Sequence, residues 1–327
     1  MRTVSKGTIG AWVAACRPKT LAAAAAPIAV GTAAGWRHAG GGVDAIRWDL
    51  AASALVFALL TQITCNISND LGDFLRGADT PRRVGPARMA ATGALTPGQL
   101  RLGAAVCALA AFAAGLPLAI ARGWWLVMVG APSLLAAFAY TNGPFPLAYK
   151  GLGDAFVLIF FGFVATLFSA HAQCGCLPVA AWVGGGACGL LAVNILLVNN
   201  TRDMETDAAA GKRTTVVRLG RGFARDFYTL NVLLAVGVPI LFLLWEARAA
   251  GFLDVVMGMK DAPPAFGSRP PWPVLLLLPS APLAWWVARK FRGVPDATPA
   301  AYNPVLGKSA LLLLLHAAFL TIAIAAS

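Results

Sequence analysis

Nine long apolar stretches dominate this chain of 327 residues and restrict what it can fold into. They lie at about 20–36, 50–69, 99–121, 123–141, 152–172, 179–200, 227–247, 272–290 and 306–326. A hydrocarbon core about 30 Å thick is crossed by a helix of roughly 20 apolar residues. The sequence therefore predicts an all-α, multi-pass membrane bundle of about nine transmembrane helices, forming one domain over residues 1–327.

The composition agrees with a membrane protein. Hydrophobic residues make up 58% of the chain and charged residues only 12%, against roughly 25% charged residues in ordinary soluble domains. The net charge of +12 comes from short loops that lack any fold or aromatic pattern for binding bases, so no nucleic-acid partner is expected. Basic loops beside membrane helices instead indicate topology and attraction to anionic lipid.

The distribution of Lys and Arg predicts the orientation in the cell (plasma or inner) membrane. Of the 26 Lys and Arg residues, 20 lie at the N-terminus or in the loops after the second, fourth, sixth and eighth stretches. The positive-inside rule places these loops in the cytoplasm. Two acidic segments, residues 66–79 and 199–214, lie on the same side.

The segment 199–214, the second motif, carries Asn199, Asp203 and Asp207 at intervals of four residues. Such a spacing places the three side chains on one face of a continuous helix. Arg202, Lys212 and Arg213 lie close by, and this set of groups suits a divalent cation that carries a phosphate. The alternative is a polar helix end with solvated charges.

The segment 66–79, the first motif, repeats this chemistry at the end of another apolar stretch. The spacing from Asn69 to Asp73 equals that from Asn199 to Asp203, and helical periodicity places four polar side chains on one face: Asn66, Asn69, Asp70 and Asp73. We expect two pseudo-repeated halves that face each other across one site. Asp79 points away from this face unless the chain leaves the helix near Gly77.

The two motifs resemble the paired Asp-rich motifs of the UbiA superfamily of intramembrane prenyltransferases. Three stretches are most similar to the menaquinone branch: RDMETDAAAGKRT at 202–214, RPKTL at 17–21 and YTNGPFPLAYKGLG at 140–153. The resemblance implies transfer of a polyprenyl group from polyprenyl diphosphate to 1,4-dihydroxy-2-naphthoate. The implied reaction loses CO₂, gives demethylmenaquinol and depends on Mg²⁺.

The expected site residues fall into three groups. Those expected to hold the metal are Asn66, Asn69, Asp70, Asp73, Asn199, Asp203 and Asp207. The four aspartates together with Lys212 are expected to activate the diphosphate. Those expected to contact substrate are Arg202, Lys212 and Arg213 at the diphosphate, Tyr140 and Lys150 through the resemblance, and Arg17, which alternatively serves as an interface anchor.

Several alternatives remain open from the sequence. Within the same fold, the acceptor is alternatively 4-hydroxybenzoate or a chlorophyllide. A secondary transporter is another class of protein with intramembrane charges, but its site usually lies near the midplane of the membrane, whereas these acids lie at one face. We interpret Arg76, Arg82, Arg83 and Arg88 as loop charge of the cytoplasmic side. The isoprenoid chain length and the oligomeric state stay open.

Overall fold

The computed structural model describes residues 6–79, 84–257 and 272–327. Within these ranges the chain is helical, without β-strands, and its twelve α-helices are joined by short loops. They are α1 Ile9–Cys16, α2 Ala22–His38, α3 Trp48–Leu75, α4 Pro97–Arg122, α5 Val127–Ala139, α6 Gly153–Val157, α7 Ala165–Cys174, α8 Val179–Arg202, α9 Met204–Ala209, α10 Thr215–Met257, α11 Ser280–Arg292 and α12 Tyr302–Ala326. A π-helix over Leu158–Val164 joins α6 to α7.

The all-helical membrane fold is confirmed, but the count of nine membrane-crossing helices is not. In the described part of the chain, six helices are long and apolar enough to cross a membrane: Trp48–Leu75, Pro97–Arg122, Gly153–Cys174, Val179–Arg202, Thr215–Arg248 and Pro299–Ala326. The other three predicted stretches form shorter helices. These are α2 with 17 residues, and α5 and α11 with 13 residues each.

Local sequence signals set the helix ends that frame the site. At the start of α4, the Thr96 hydroxyl accepts a hydrogen bond from the Gln99 amide, and the Gln99 side chain accepts one from the Thr96 amide. This capping box satisfies two amides that a helix start leaves unpaired. At the end of α3, Gly77 has a φ of +68°, a conformation that glycine adopts without strain. The chain therefore turns back within the first motif, between Asp73 and Asp79.

The buried apolar residues form two clusters. The larger one joins α2, α8, α10, α11 and α12 around the aromatic side chains of Tyr228, Phe291 and Tyr302. The smaller one packs α1, α3 and the start of α4 against the loop that contains Met89 and Leu95. The loop after the first motif is thus part of a packed core and holds a fixed position beside the end of α3.

Two glycines allow α2 to approach α7 closely. A Cβ atom built on Gly31 would lie 2.1 Å from the carbonyl oxygen of Thr166, and one built on Gly35 would lie 2.3 Å from that of Ala170. Both distances are far below van der Waals contact. Close packing of small residues is a main source of helix association in membranes, because apolar lipid provides no hydrophobic driving force between helices.

We expect Gly31→Ala and Gly35→Ala each to lower the free energy of unfolding by about 1–3 kcal/mol, the usual cost of overpacking. The measurement is thermal unfolding in detergent, followed by size-exclusion chromatography. Gly237→Ala on α10 is the matched control, because its Cβ would meet nothing within 4 Å. A loss of stability in the control equal to that in the α2 variants would contradict this account of the α2–α7 contact.

Candidate active site

The first motif begins with two buried asparagines on α3. The Asn66 side-chain amide donates hydrogen bonds to the Cys16 carbonyl and to the Thr20 hydroxyl, both at 2.9 Å. One turn later, the Asn69 side-chain oxygen accepts a hydrogen bond of 2.8 Å from the Thr141 hydroxyl. The two amides therefore tie α3 to the segment before α2 and to the end of α5.

Asp70 holds the loop that follows the first motif. Its two carboxylate oxygens accept hydrogen bonds from the backbone amides of Met89 at 2.8 Å and Ala90 at 3.0 Å. The carboxylate is buried, and charge-assisted bonds to backbone amides are among the stronger hydrogen bonds in proteins. Both oxygens of Asp70 are engaged by backbone amides, so the geometry favours a positioning role for Asp70 over the predicted role as a metal ligand.

Asp73 lies at the centre of the cluster. One carboxylate oxygen accepts a hydrogen bond of 3.2 Å from the Tyr149 hydroxyl and lies 2.9 Å from the Lys212 ammonium. The other oxygen lies 2.9 Å from the Arg88 guanidinium. With only 2% of its surface exposed, Asp73 is a buried charge that depends on these partners.

Lys212 joins the two motifs. Its ammonium lies 2.9 Å from Asp73 of the first motif and 3.6 Å from Asp207 of the second. It also lies over the Tyr149 ring, 5.1 Å from the ring centre. The prediction that the two acidic segments meet across one site is therefore consistent with this arrangement.

Arg88 is a buried partner of the site, and its interpretation as loop charge is wrong. It is 8% exposed, and besides Asp73 its guanidinium lies 3.6 Å from a carboxylate oxygen of Asp79. The turn at Gly77 returns Asp79 to the cluster, which is the condition that the sequence required for this residue. Periodicity missed Arg88 because a loop, and not a helical face, brings it to Asp73. Arg82 and Arg83 lie outside the described residues.

The second motif does not form one unbroken helical face. Helix α8 ends at Arg202, and Asp203 has φ and ψ of −94° and 8° between α8 and α9. The Arg202 guanidinium donates two hydrogen bonds of 2.8 and 2.7 Å to the Asp203 carboxylate, and a third of 2.9 Å to the side-chain oxygen of Asn303. The Asp207 amide still donates a hydrogen bond of 2.8 Å to the Asp203 carbonyl. Because its guanidinium is engaged by Asp203 and Asn303, the geometry does not support Arg202 as a diphosphate contact.

A cavity of about 290 Å³ lies beside the two motifs and is enclosed by α2, α3, α4, α5 and α8. Its polar end is lined by Arg17, Asn66, Asn69, Tyr140 and Asn199. Its walls are apolar, and six phenylalanines contribute to them: Phe57, Phe112, Phe156, Phe160, Phe161 and Phe168. Three of these phenylalanines lie on α6 and the π-helix, a helix type that is frequent at functional sites.

Arg17 reaches the polar end of this cavity from a strained backbone position. Its φ of +49° is the only positive φ of a non-glycine residue in the described chain. Its guanidinium donates a hydrogen bond of 3.5 Å to the Asn66 carbonyl. Residues held in the left-handed region cost about 1–3 kcal/mol and are concentrated at functional sites. Position and strain both support a role for Arg17 in binding.

The remaining predicted residues do not belong to the carboxylate cluster. Lys150 and Arg213 line a separate basin on the far side of Tyr149.

Tyr149 is a site residue that the sequence analysis does not identify. The sequence singles out the stretch that contains Tyr149, but the contact of Tyr149 with Asp73 depends on the turn of a loop. Burial, together with the neighbouring Asp73 carboxylate, raises the pKa of Tyr149. Its hydroxyl therefore stays protonated and can donate to Asp73.

The cluster has the donors that Mg²⁺ requires. Among the described residues, no three His, Cys, Asp or Glu side chains form a ready metal site. However, Mg²⁺ is usually held by one or two carboxylates together with substrate phosphates. Asp73 and Asp207 already share a cation, the Lys212 ammonium. The two carboxylates therefore fit a divalent cation that arrives with a phosphate.

We expect Asp70→Asn to release the loop that carries Arg88. The new amide nitrogen cannot accept a hydrogen bond, so one buried backbone amide loses its partner at a cost of about 1–3 kcal/mol. Local opening should then become about tenfold more frequent or greater, since 1.4 kcal/mol is a factor of ten. The measurement is deuterium uptake in peptides that cover Met89 and Ala90.

The control for this experiment is Asp49→Asn, which removes an exposed carboxylate from the opposite end of α3. Its uptake at Met89 and Ala90 should match that of the unchanged protein. Equal uptake in Asp70→Asn would show that the Asp70 oxygens do not hold these amides.

Solved structures with this fold span almost the whole chain. A UbiA homologue from Aeropyrum pernix K1 superposes with a TM-score of 0.62 at 14% identity, covering 91% of this chain and 96% of that one. A UbiA homologue from Archaeoglobus fulgidus, bound to DMAPP and Mg²⁺, has a TM-score of 0.59 at 15% identity, covering 94% and 98%. At these identities the likeness concerns the fold alone.

The sequence comparisons are more specific. The chain is 39% identical over 288 residues to 1,4-dihydroxy-2-naphthoate octaprenyltransferase of Mycobacterium tuberculosis, covering 85% of this chain and 94% of that protein. It is 37% identical over 245 residues to the Escherichia coli protein of the same name, covering 73% and 78%. Residues 24–312 match the model of the UbiA prenyltransferase family. The chain belongs to the UbiA prenyltransferase family.

Proposed function

We propose that this protein transfers a polyprenyl group from polyprenyl diphosphate to 1,4-dihydroxy-2-naphthoate, with loss of CO₂, to give demethylmenaquinol. The observation that carries the proposal is the contact of Lys212 with Asp73 and Asp207, one from each motif, beside an aromatic cavity. The names of the relatives at 37–39% identity support the naphthoate as the acceptor. Membership in a prenyltransferase family argues against a transporter.

The donor end of the site is the carboxylate cluster. We infer that Asp73, Asp207 and the side-chain oxygen of Asn199 hold Mg²⁺, which when bound neutralises charge on the diphosphate. The Lys212 ammonium then donates hydrogen bonds to the diphosphate as negative charge accumulates on its oxygens. Arg88 stays with Asp73 and Asp79 and keeps these two carboxylates in place.

The cavity is the proposed place of the reaction itself. The carbon–oxygen bond of the donor breaks, and its electron pair leaves with the diphosphate. The phenylalanines exclude water from the allylic cation, and their faces stabilise its charge. The ring carbon that bears the carboxylate forms the new carbon–carbon bond. The carboxylate leaves that carbon as CO₂, and the electron pair of its bond returns to the ring.

The proposed acceptor end is the part of the cavity's polar end that contains Arg17 and Tyr140. Arg17 lines the cavity close to Asn66, and a guanidinium matches the geometry of a carboxylate. We infer that Arg17 binds the carboxylate of the naphthoate and that Tyr140 hydrogen-bonds a ring hydroxyl. The positive-inside pattern supports a cytoplasmic position for both motifs, on the side where water-soluble acceptor and diphosphate are present.

We expect membranes that contain the protein, Mg²⁺ and a polyprenyl diphosphate to convert 1,4-dihydroxy-2-naphthoate into a prenylated, decarboxylated product, identified by its mass. Chelation of Mg²⁺ should abolish conversion. Asp73→Asn and Asp207→Asn should each lower turnover about 100-fold or more, because about 3 kcal/mol of leaving-group stabilisation depends on these charges. Asp49→Asn is the control with unchanged turnover. Product from 4-hydroxybenzoate alone would refute the proposed acceptor.

A kinetic comparison separates the donor end of the site from the acceptor end. Lys212→Ala should lower kcat/KM by the same factor for 1,4-dihydroxy-2-naphthoate and for any second acceptor, because the diphosphate is common to both reactions. Arg17→Ala should instead change the ratio of the two values and affect acceptors without a carboxylate least. An unchanged ratio in Arg17→Ala would return this residue to the role of an interface anchor.

A further inference from the structure

A second concave site lies beside the carboxylate cluster, and no acidic residue of the described chain lines it. This basic basin has a volume of about 470 Å³ and lies where three loops meet. Four cations line it: Arg76, Lys150, Arg213 and Arg218. All four side chains belong to exposed residues on the same end of the bundle as the two motifs.

Backbone contacts hold the loops of the basin together. The Arg213 amide donates a hydrogen bond of 3.1 Å to the Tyr149 carbonyl. The Arg218 guanidinium donates one of 2.8 Å to the Lys150 carbonyl, and the Arg76 guanidinium donates to the carbonyls of Thr141 and Gly143. The four cations are therefore carried by linked loops, and they converge because of contacts that involve no ligand.

Carboxylates balance the positive charge of the carboxylate cluster, but they do not balance that of the basin. Arg88 and Lys212 each lie within 3.6 Å of two carboxylates. Over the described ranges of the chain, no cation of the basin forms a salt bridge, and the protein groups bonded to Arg76 and Arg218 are carbonyls. Four like charges around one concavity repel one another unless an anion binds between them.

Tyr149 separates the basin from the carboxylate cluster. Its hydroxyl donates to Asp73, and Lys212 lies 5.1 Å from its ring centre. The Arg76 guanidinium also lies over this ring, 5.2 Å from the centre, and Tyr149 itself lines the basin. One side chain thus forms a wall shared by a site with carboxylates and a site without them.

We propose that the basic basin is a second phosphate-binding site, which binds a phosphate or diphosphate group without a metal ion. Since no carboxylate among the described residues lines the basin, no Mg²⁺ is needed to bridge it to a phosphate. Lys150, Arg213 and Arg218 supply charge-assisted hydrogen bonds in addition to those of Arg76. The ligand comes either from the diphosphate of the prenyl donor or from an anionic lipid headgroup. Assignment to the diphosphate rests on the proposed function, whereas the site itself does not.

The test is metal-free binding of radiolabelled inorganic diphosphate to the whole protein in phosphatidylcholine nanodiscs with excess EDTA. We expect the unchanged protein to bind and the double variant Lys150→Gln/Arg213→Gln to bind at least tenfold more weakly. The matched control is Arg289→Gln/Lys290→Gln, which removes two exposed charges from the last turn of α11, outside the basin, and should bind as the unchanged protein does.

Lys212→Ala locates the bound anion. It should retain metal-free binding, since Lys212 belongs to the carboxylate cluster. If Lys212→Ala abolishes binding while Lys150→Gln/Arg213→Gln does not, the anion binds at the cluster and the proposal is refuted. Equal binding by the basin variant and the α11 control likewise refutes it. Neither outcome depends on turnover, so the reaction proposed above stands or fails separately.

A second arm distinguishes the two sources of phosphate. The same proteins are placed in nanodiscs that contain phosphatidylglycerol, and retained lipid is counted by native mass spectrometry. Retention that is lost only in Lys150→Gln/Arg213→Gln, together with weaker diphosphate binding by the unchanged protein, supports the site and assigns the lipid headgroup to it. Basin-dependent diphosphate binding without such retention supports the site and assigns the diphosphate.

Discussion

The site depends on one ammonium group between a buried carboxylate, Asp73, and a partly buried one, Asp207. Asp73 and Asp207 lie 134 residues apart in the sequence, and Lys212 holds them within one cluster. Without a cation between them, two carboxylates in a buried site would repel each other and draw protons or water. The resting site therefore contains its own counter-ions. A divalent cation held by Asp73 and Asp207 would take over from positive charge already present, so the two carboxylates would not have to rearrange from a repelled state.

Much of the fold and part of the site follow from the sequence, because hydrophobic length and acid spacing are local properties. The positions of Asp73, Asp207 and Lys212 near one another were expected from two acid-rich helix ends at one membrane face. Spacing was misleading at Asp203, because the pairing of Arg202 with Asp203 occurs where α8 ends. A periodic pattern describes a helix only as long as the helix continues.

The residues that sequence reasoning missed are all brought in by turns. Arg88 reaches Asp73 because Asp70 binds the two amides that follow Arg88. Tyr149 reaches the same carboxylate from the short loop before α6. Neither contact has a period, and each depends on a tertiary arrangement that the local sequence does not encode. The same holds for Lys150 and Arg213, whose charges were evident but whose separation from the cluster by Tyr149 was not.

The π-helix over Leu158–Val164 has a consequence for how the cavity can change in evolution. Each turn of such a segment accommodates an extra residue relative to an α-helix, since its hydrogen bonds run from i to i+5. Loss of one residue there would restore α-helical winding, and the side chains within the segment would turn by up to about 100° while the helices on either side keep their contacts. Phe160 and Phe161 would leave the wall, while α7 could keep its contact with α2. A single-codon deletion could thus reshape the cavity more than most substitutions in its lining.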